Sequence, residues 1–474
     1  MKLIIEKKIS IKIFLIWFII NLLFSNLKIN VSDGYTQYLA AKNFIEKKHF
    51  YIDEANVKKY PEQFFKGKNN KYYSIFQPGS IFVLIPFYLS GKIISLFSPN
   101  QYKEKIIQIF ISLMPDVFTA LILLLIFLII KKYNFHEKIL VHIFLLYFAT
   151  IMPFYNNANF NEPLQTFLLL FSVYLIFLYK TDQEKFFVLL AGFLLGFAIC
   201  VRFDSLPFSF LIILFSIYYF YKSRKIINIV YLLLSFIVMI IFLFIYYYLI
   251  SGKLLVLRAD VDPGLKIILN FKSLILLLFG PNYGFFIYQP IFFFIIIYLI
   301  KKFRIIIQNF ICIVSLSIFV LNILFLSILQ NFHGGWNWGP RLLYKTIPFM
   351  LILFLIYYKN EEKNHFILFL VPSIFINLLG LLYGVGGGFL FCVKNNLIRM
   401  YYSQYIPIYS TIEMNIRFFI MDLINKKMLL HNIDLSEYKR IEPLLFRFKF
   451  GPILFLLFFI FIIYFLKKIQ IDQK

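Results

Sequence analysis

Residues 226–250 read IINIVYLLLSFIVMIIFLFIYYYLI, a run of 25 residues with no Asp, Glu, Lys, Arg or His. A helix of this length rises by about 37 Å, which exceeds the roughly 30 Å of a bilayer's hydrocarbon core. Backbone groups in lipid must pair within their own segment, so a helix is the form in which such a run can cross. The stretch therefore predicts a membrane-spanning helix and determines the class of fold.

Similar apolar runs recur along the whole chain. Of its 474 residues, 61% are hydrophobic, 21% are aromatic and 15% are charged, whereas soluble chains are about 25% charged. We therefore predict an all-α fold, a polytopic integral membrane bundle of about 12 transmembrane helices. The net charge of +25 does not predict a nucleic-acid partner, because the lysines and arginines sit in short clusters at the ends of apolar runs.

The distribution of these clusters predicts which loops face the cytoplasm. Basic residues gather in every second short loop, and positive loops are typical of the cytoplasmic side. The loops that alternate with these are 155–162, 202–205 and 331–345. Their only basic residues are Arg202, Arg341 and Lys345, so we assign these loops to the outside. The thirteen cations assigned to the inside are Lys131, Lys132, Lys138, Lys180, Lys185, Lys222, Arg224, Lys225, Lys301, Lys302, Arg304, Lys359 and Lys363.

This alternation requires that the apolar run 79–97 does not cross the membrane. We predict a re-entrant or interfacial helix there, within the first external loop, although a spanning helix remains the alternative. Both termini are then cytoplasmic, in a multi-pass protein of the inner (plasma) membrane. The predicted spans are 12–28, 105–130, 138–154, 163–180, 186–201, 206–221, 226–250, 284–300, 305–329, 344–358, 366–385 and 451–467.

We divide the chain into three parts on this basis. Residues 1–385 form the main transmembrane region and include the long first external loop, 29–104. Residues 386–450 form an external segment of unknown role. Residues 451–474 hold the last span and a cytoplasmic tail.

The candidate site residues lie at the predicted external ends of the spans. Asp33 begins a short segment of helical spacing, where it can serve as a helix N-cap or as a general base for an attacking hydroxyl. Glu162 precedes Pro163 at the start of a span, where a carboxylate also favours a helix N-terminus. Arg202 and Arg341 are cations in loops assigned to the outside, whereas basic residues are typical of cytoplasmic loops. Guanidinium groups bind phosphate through a planar fork of donors. Either arginine could instead pair with an aspartate, and Asp204 is the partner available to Arg202.

Residues 333–341 read HGGWNWGPR and hold two of the three tryptophans of the protein. Trp336 and Trp338 could be interfacial belt residues. Three glycines and a proline in the same stretch indicate a shaped loop, and tryptophan faces commonly stack on sugars. The concentration of these residues favours a binding site.

Four motifs resemble the GT-C superfamily of membrane glycosyltransferases, in particular the bacterial relatives of protein O-mannosyltransferases and of the lipid A aminoarabinose transferase. They occur in the family's order along residues 30–345. They are Ser32-Asp33-Gly34-Tyr35, Lys71-Tyr72-Tyr73-Ser74 with Gln77-Pro78-Gly79, Asn161-Glu162-Pro163, and Gly335 to Arg341. The second departs from the family pattern, since Asn70 replaces a glycine.

The resemblance implies an inverting transferase that moves a sugar from a polyprenyl-phosphate donor to an envelope glycan, glycolipid or protein acceptor. Asp33 would deprotonate the acceptor, Arg202 or Arg341 would neutralise the departing phosphate, and Glu162 would orient a substrate. The sugar pocket would be shaped by Tyr73, His333, Trp336 and Trp338. We predict no metal and no cofactor; membrane lipid and the two substrates are the expected partners. A lipid-linked glycan transporter or flippase, or a non-catalytic assembly subunit, remains the alternative.

Overall fold

The structure, a computed structural model, is composed almost entirely of helices. It describes residues 2–29, 31–133, 139–157, 160–256, 271–329, 334–335, 337–358, 363–397, 407–424, 428–430, 433–435, 460 and 464. The first part of the chain contains α1 (Lys2–Phe24), α2 (Ser32–Lys47), α3 (Glu54–Lys59), β1 (Phe64–Lys66), β2 (Tyr72–Ser74), α4 (Pro78–Ser95), α5 (Asn100–Ser112) and α6 (Met114–Tyr133).

Fifteen further helices and a small hairpin follow. They are α7 (Ile139–Phe148), α8 (Met152–Asn157), α9 (Glu162–Asp182), α10 (Lys185–Val201), α11 (Leu206–Lys222), α12 (Ile226–Ser251), α13 (Phe271–Phe279), α14 (Phe285–Tyr288), α15 (Ile291–Lys301), α16 (Phe303–Ile306), α17 (Phe310–Ser327), α18 (Ile347–Tyr357), α19 (Lys363–Tyr383), α20 (Gly386–Lys394), α21 (Thr411–Ile424) and the strands β3 (Leu429–Leu430) and β4 (Ile433–Asp434).

Many of these helices suit a bilayer, which confirms the predicted polytopic bundle. On α12, apolar side chains such as Ile227, Leu234 and Ile241 are about half exposed, as expected for a helix whose solvent is lipid. Among the described residues, seven helices are long and apolar enough to cross a membrane: Pro78–Ser95, Asn100–Tyr133, Glu162–Tyr179, Phe203–Lys222, Ile226–Ser251, Phe310–Ser327 and Asn364–Tyr383.

Each predicted span before residue 386 falls on a helix, but several are interrupted. Residues 105–130 divide into α5 and α6, and residues 284–300 divide into α14 and α15. Proline explains most of these boundaries, because it lacks a backbone N–H and is tolerated at the first turn of a helix. The prolines at the beginning of helices are Pro78, Pro115, Pro153, Pro163, Pro207 and Pro348.

Helix α4 occupies the run that was predicted not to cross. At its N-terminal end, a Cβ on Gly79 would lie 2.6 Å from the carbonyl carbon of Cys200, near the end of α10. At its other end, Lys92 pairs with Glu46 on α2 at 3.4 Å. Since α2 is a polar helix in the first loop, both ends of α4 contact elements assigned to the external side. Because α4 is also one of the helices long and apolar enough to cross a membrane, its interfacial placement stays a prediction.

The segment that follows α19 packs back on the bundle. The side chain of Asn415 on α21 donates to the backbone carbonyls of Leu379 and Gly384, at 3.2 and 2.9 Å. Tyr383 donates to Asp422 at 2.6 Å. The predicted last span, 451–467, lies outside the described residues except for Ile460 and Tyr464.

Candidate active site

Asp33 lies in the first turn of α2, and its carboxylate faces the bundle. The N-cap of this helix is Val31, in an extended conformation and without a side-chain cap. Asp33 is therefore not the capping residue, although an acid in the first turn still favours the helix dipole. Its Oδ2 lies 3.1 Å from Nη2 of Arg341, and its side chain is 13% exposed.

Arg341 connects two carboxylates from distant parts of the chain. Its Nε donates to Oε1 of Glu162 at 2.7 Å while its Nη2 donates to Asp33. The guanidinium carbon lies 3.5 Å from the ring centroid of Phe160, a stacking arrangement typical of arginine. The backbone before it requires a glycine, because Gly339 has φ +65° and a Cβ there would lie 2.8 Å from the ring of Tyr288.

Arg202 extends the same network from the end of α10. Its Nη1 donates to Oε1 of Glu162 at 2.6 Å. Its Nε and Nη2 donate to the two oxygens of Asp204 at 3.1 and 3.2 Å. Glu162 therefore receives both arginines on one oxygen, which places the two guanidinium groups side by side.

Lys345 closes the network on its buried side. Its ammonium group lies 2.8 Å from Oδ2 of Asp204 and 4.5 Å from the ring centroid of Phe208. Gln165 donates to Oδ1 of the same aspartate at 2.8 Å. Three acids and three bases are thus joined in one cluster, and we call it the charge cluster: Asp33, Glu162, Asp204, Arg202, Arg341 and Lys345.

Exposure distinguishes the two ends of the charge cluster. The side chains of Glu162 and Lys345 are each 1% exposed, whereas those of Arg202 and Asp204 are 20% and 22% exposed. Asp33 and Arg341 are intermediate. A molecule that approaches from outside can therefore reach Arg202 and Asp33, while Glu162 and Lys345 support them from within.

The charges in this cluster set one another's protonation. Burial lowers the pKa of Arg341, but the carboxylates of Glu162 and Asp33 more than reverse this and leave that pKa raised. The pKa of Arg202 is raised in the same way, by Asp204 and Glu162 against burial. Burial lowers the pKa of Lys345, and the attraction of Asp204 does not restore it against the nearby charge of Arg202. Both arginines therefore stay charged.

Trp338 supports the arginine loop from below. Its side chain is fully buried, with Tyr288 edge-on at 5.1 Å between ring centroids. Its Nε1 donates to Asn377 at 3.4 Å, and its backbone carbonyl accepts from Tyr155 at 3.0 Å. The indole therefore packs against protein on α8, α14 and α19.

One predicted residue, Tyr73, lies apart from the charge cluster. Tyr73 is half-buried on β2, opposite Phe65 in the register of the hairpin, with 6.0 Å between the two ring centroids. None of the ion pairs within the described charge cluster involves it. His333 and Trp336 lie outside the described residues.

Sequence reasoning overlooked Lys345 as a site residue. It was counted only as a cation of an external loop. The signal that could have revealed it is a second basic residue, close after Arg341, in a short loop assigned to the external side.

Comparisons with known proteins bear on the fold. No protein-family model matches the sequence, and no curated protein matches it significantly. The chain is similar to the apo crystal structure of ArnT from Cupriavidus metallidurans, with a TM-score of 0.50 and 12% identity over 88% of this chain and 75% of that one. The chain has the fold of ArnT.

Two other structures are similar at a lower level. ArnT bound to undecaprenyl phosphate gives a TM-score of 0.49 and 10% identity over 86% of this chain and 74% of that one. The archaeal oligosaccharyltransferase AglB from Archaeoglobus fulgidus, in complex with an inhibitory peptide and a dolichol-phosphate, gives 0.33 and 13% identity over 98% and 56%. The ArnT-like fold confirms the predicted GT-C-like architecture, and at this identity it establishes the fold alone.

Proposed function

We propose that the chain is a glycosyltransferase that moves a sugar from a polyprenyl-phosphate donor to a hydroxyl of an envelope acceptor at the outer face of the inner (plasma) membrane. The observation that carries this proposal is the junction of Asp33, Arg341, Glu162 and Arg202 through contacts of 3.1 Å or less. It brings a carboxylate that can accept a proton beside two guanidinium groups that can bind a phosphate.

The reaction that fits this geometry is a single displacement. The acceptor oxygen attacks the anomeric carbon as its proton passes to the Asp33 carboxylate, and the bond between that carbon and the phosphate oxygen breaks. The polyprenyl phosphate leaves with the electron pair and one more negative charge. Arg202 and Arg341 stabilise that charge, an effect that is often the largest single contribution to catalysis.

Other members of the charge cluster act as positioning residues. Glu162 is too buried to meet a substrate and instead fixes the arginines, because one of its oxygens accepts from both. Its second oxygen is buried without a hydrogen-bond partner among the described residues. Asp204 accepts from both Nε and Nη2 of Arg202. Lys345 offsets the negative charge of Asp204. We assign Trp338 to support of the arginine loop instead of to sugar contact.

The position of the charge cluster supports a reaction outside the cytoplasm. Its members come from the beginnings of α2 and α9, the connection between α10 and α11, and the loop before α18. The alternation of basic loops predicts that these connections lie on the external side. Residues that contact one another share a side of the membrane, so the charge assignment and the contacts agree.

Mass spectrometry of envelope glycans, glycolipids and glycoproteins from a deletion strain tests this function. We expect one sugar to be missing, to return with the wild-type gene and to stay missing with Asp33→Asn expressed at wild-type level. Glu184→Gln, at an exposed acid at the opposite end of α10 from Arg202, should restore it. If Asp33→Asn restores the sugar fully, the chain is not acting as this transferase, and a transport or assembly role would account for the deletion.

A further inference from the structure

The first loop carries a second cationic surface, separate from the charge cluster. Residues 47–71 contain seven lysines and three acidic residues. Three of the lysines rest on tyrosine rings. The ammonium of Lys59 lies 5.2 Å from the centroid of Tyr35, that of Lys71 lies 3.7 Å from Tyr51, and that of Lys68 lies 4.6 Å from Tyr248. We call these pairs the lysine–tyrosine face.

These three lysines differ from others nearby. Lys42 and Lys92 pair with Glu104 and Glu46 at 2.9 and 3.4 Å, which offsets their charge. Among the described residues, the lysines of the face make no ion pair of this kind. A tyrosine ring attracts and orients an ammonium group but carries no net charge. The face therefore presents fixed positive charges that remain available to an anion.

The face is built on a firm base. The strand residues Phe65 and Tyr73 pair across the β1–β2 hairpin. The backbone of Ile52 joins this pairing through Tyr72, with a hydrogen bond of 2.8 Å. At the turn, a Cβ on Gly67 would lie 2.3 Å from the backbone oxygen of Ile250, so the hairpin contacts the end of α12 closely.

The face begins on the opposite side of α2 from the proposed base and extends away from it. Tyr35 and Asp33 are both in the first turn of α2, but side chains two positions apart leave a helix in different directions. Lys59 consequently lies across the helix from the reacting position. Lys71 rests on Tyr51, which follows the other end of α2, and this helix of 16 residues is about 24 Å long.

We propose that the lysine–tyrosine face binds the acceptor, and that the acceptor is a glycan polymer with repeated phosphate or carboxylate groups. This inference rests on the proposed function and names the substrate class of the same site. The tyrosine rings hold the ammonium groups in place, and these groups pair with the anions of the polymer. Charges spread along about 24 Å match several repeat units, whereas a single lipid headgroup covers a small part of that length.

The test is a binding measurement on the full-length protein in nanodiscs of neutral phosphatidylcholine, without donor. The probes are poly(glycerol phosphate) and neutral dextran of similar length. We expect the anionic polymer to bind at least tenfold more tightly and to weaken as salt is raised. The double substitution of Lys59→Glu and Lys71→Glu should remove this preference, while Lys103→Glu with Lys105→Glu, an equal change of charge on α5, should retain it.

Three results would overturn the inference: equal binding of dextran, equal loss in the two double variants, or binding of phosphatidylglycerol vesicles without binding of the polymer. The last would assign the face to the membrane surface. Because no donor is present, failure of the transferase proposal leaves this outcome unaffected. A protein that binds the polymer but transfers no sugar would contradict the proposed function alone.

Discussion

The guanidinium of Arg341 lies 3.1 Å from the carboxylate of Asp33, although 308 positions separate the two residues in the chain. The contact joins the first turn of α2 to the loop that precedes α18. It couples the residue proposed to accept a proton to the residues proposed to hold phosphate.

Glu162→Gln should disrupt the charge cluster with little change of shape. It removes the negative charge that both arginines share, and loss of one partner from a buried ion pair destabilises a protein by about 3 kcal/mol. We expect a lower unfolding temperature in detergent together with a loss of transfer activity. A variant that keeps wild-type stability would show that Glu162 does not hold the arginines.

Arg341→Lys should reduce activity at least tenfold although it preserves charge. Two nitrogens of Arg341 contact two different carboxylates, and a lysine has one nitrogen at the end of a flexible chain. The effect is measured as turnover at saturating donor. Arg417→Lys is the matched control, because Arg417 makes one contact with Glu413 within α21. An equal loss of activity in this control would contradict the claim that the two contacts of Arg341 are needed.

Deprotonation of Lys345 should make activity fall at an alkaline pH that lies below the ordinary pKa of lysine. Burial, with the charge of Arg202, lowers its pKa despite the attraction of Asp204. As pH rises through that lowered pKa, the charge cluster loses a positive charge and phosphate binding weakens. Lys345→Arg should shift the alkaline limb of the pH–rate profile upward, and an unchanged limb would exclude Lys345 as its origin.

The same group contributes to stability with the opposite sign. Between the lowered pKa and the ordinary value of about 10.4, the unfolded chain holds a proton on Lys345 that the folded protein has released. The contribution of this group to the free energy of unfolding therefore increases with pH within that window. Lys345→Met should lack this increase in pH-dependent unfolding curves.

Gly380→Ala should destabilise the protein and impair the arginine loop. A Cβ at this position would lie 2.1 Å from the buried ring of Trp338, and forced overpacking destabilises a core by about 1 to 3 kcal/mol. Gly388→Ala is the matched control within a helix, because its Cβ would meet the flexible side chain of Met414 at 3.3 Å. We expect Gly380→Ala to have a lower unfolding temperature and a lower turnover than Gly388→Ala. Equal effects of the two substitutions would contradict the role of Trp338.

The helices could be predicted because lipid imposes a simple rule on sequence. Runs such as 226–250 have no other stable form in a bilayer, and each predicted span before residue 386 falls on a helix. The interruptions at Leu113 and Gln289 were missed, because apolar composition continues through them and only the neighbouring prolines mark the change. The hairpin at Phe64–Lys66 and Tyr72–Ser74 was also missed, since its strands are too short for a clear alternation.

The site was predictable to the extent that polar residues are rare at the ends of apolar runs. Asp33, Glu162, Arg202 and Arg341 were conspicuous for that reason, and the structure brings them together. Trp338 was conspicuous too, but it packs against Gly380 beneath the loop, because an aromatic ring at the end of an aromatic bundle has interior space to fill. Which ring turns inward depends on packing between distant helices, and a single sequence does not record it.

The affinity of the purified protein for undecaprenyl phosphate, a member of the proposed polyprenyl-phosphate class, tests the central claim most directly. The lipid corresponds to the product side of the proposed reaction, so the sugar need not be known. We predict that Arg202→Ala with Arg341→Ala weakens binding at least tenfold, while Asp33→Asn binds at least as tightly as wild type because Arg341 loses a competing carboxylate. Wild-type affinity in the double arginine variant would contradict the account.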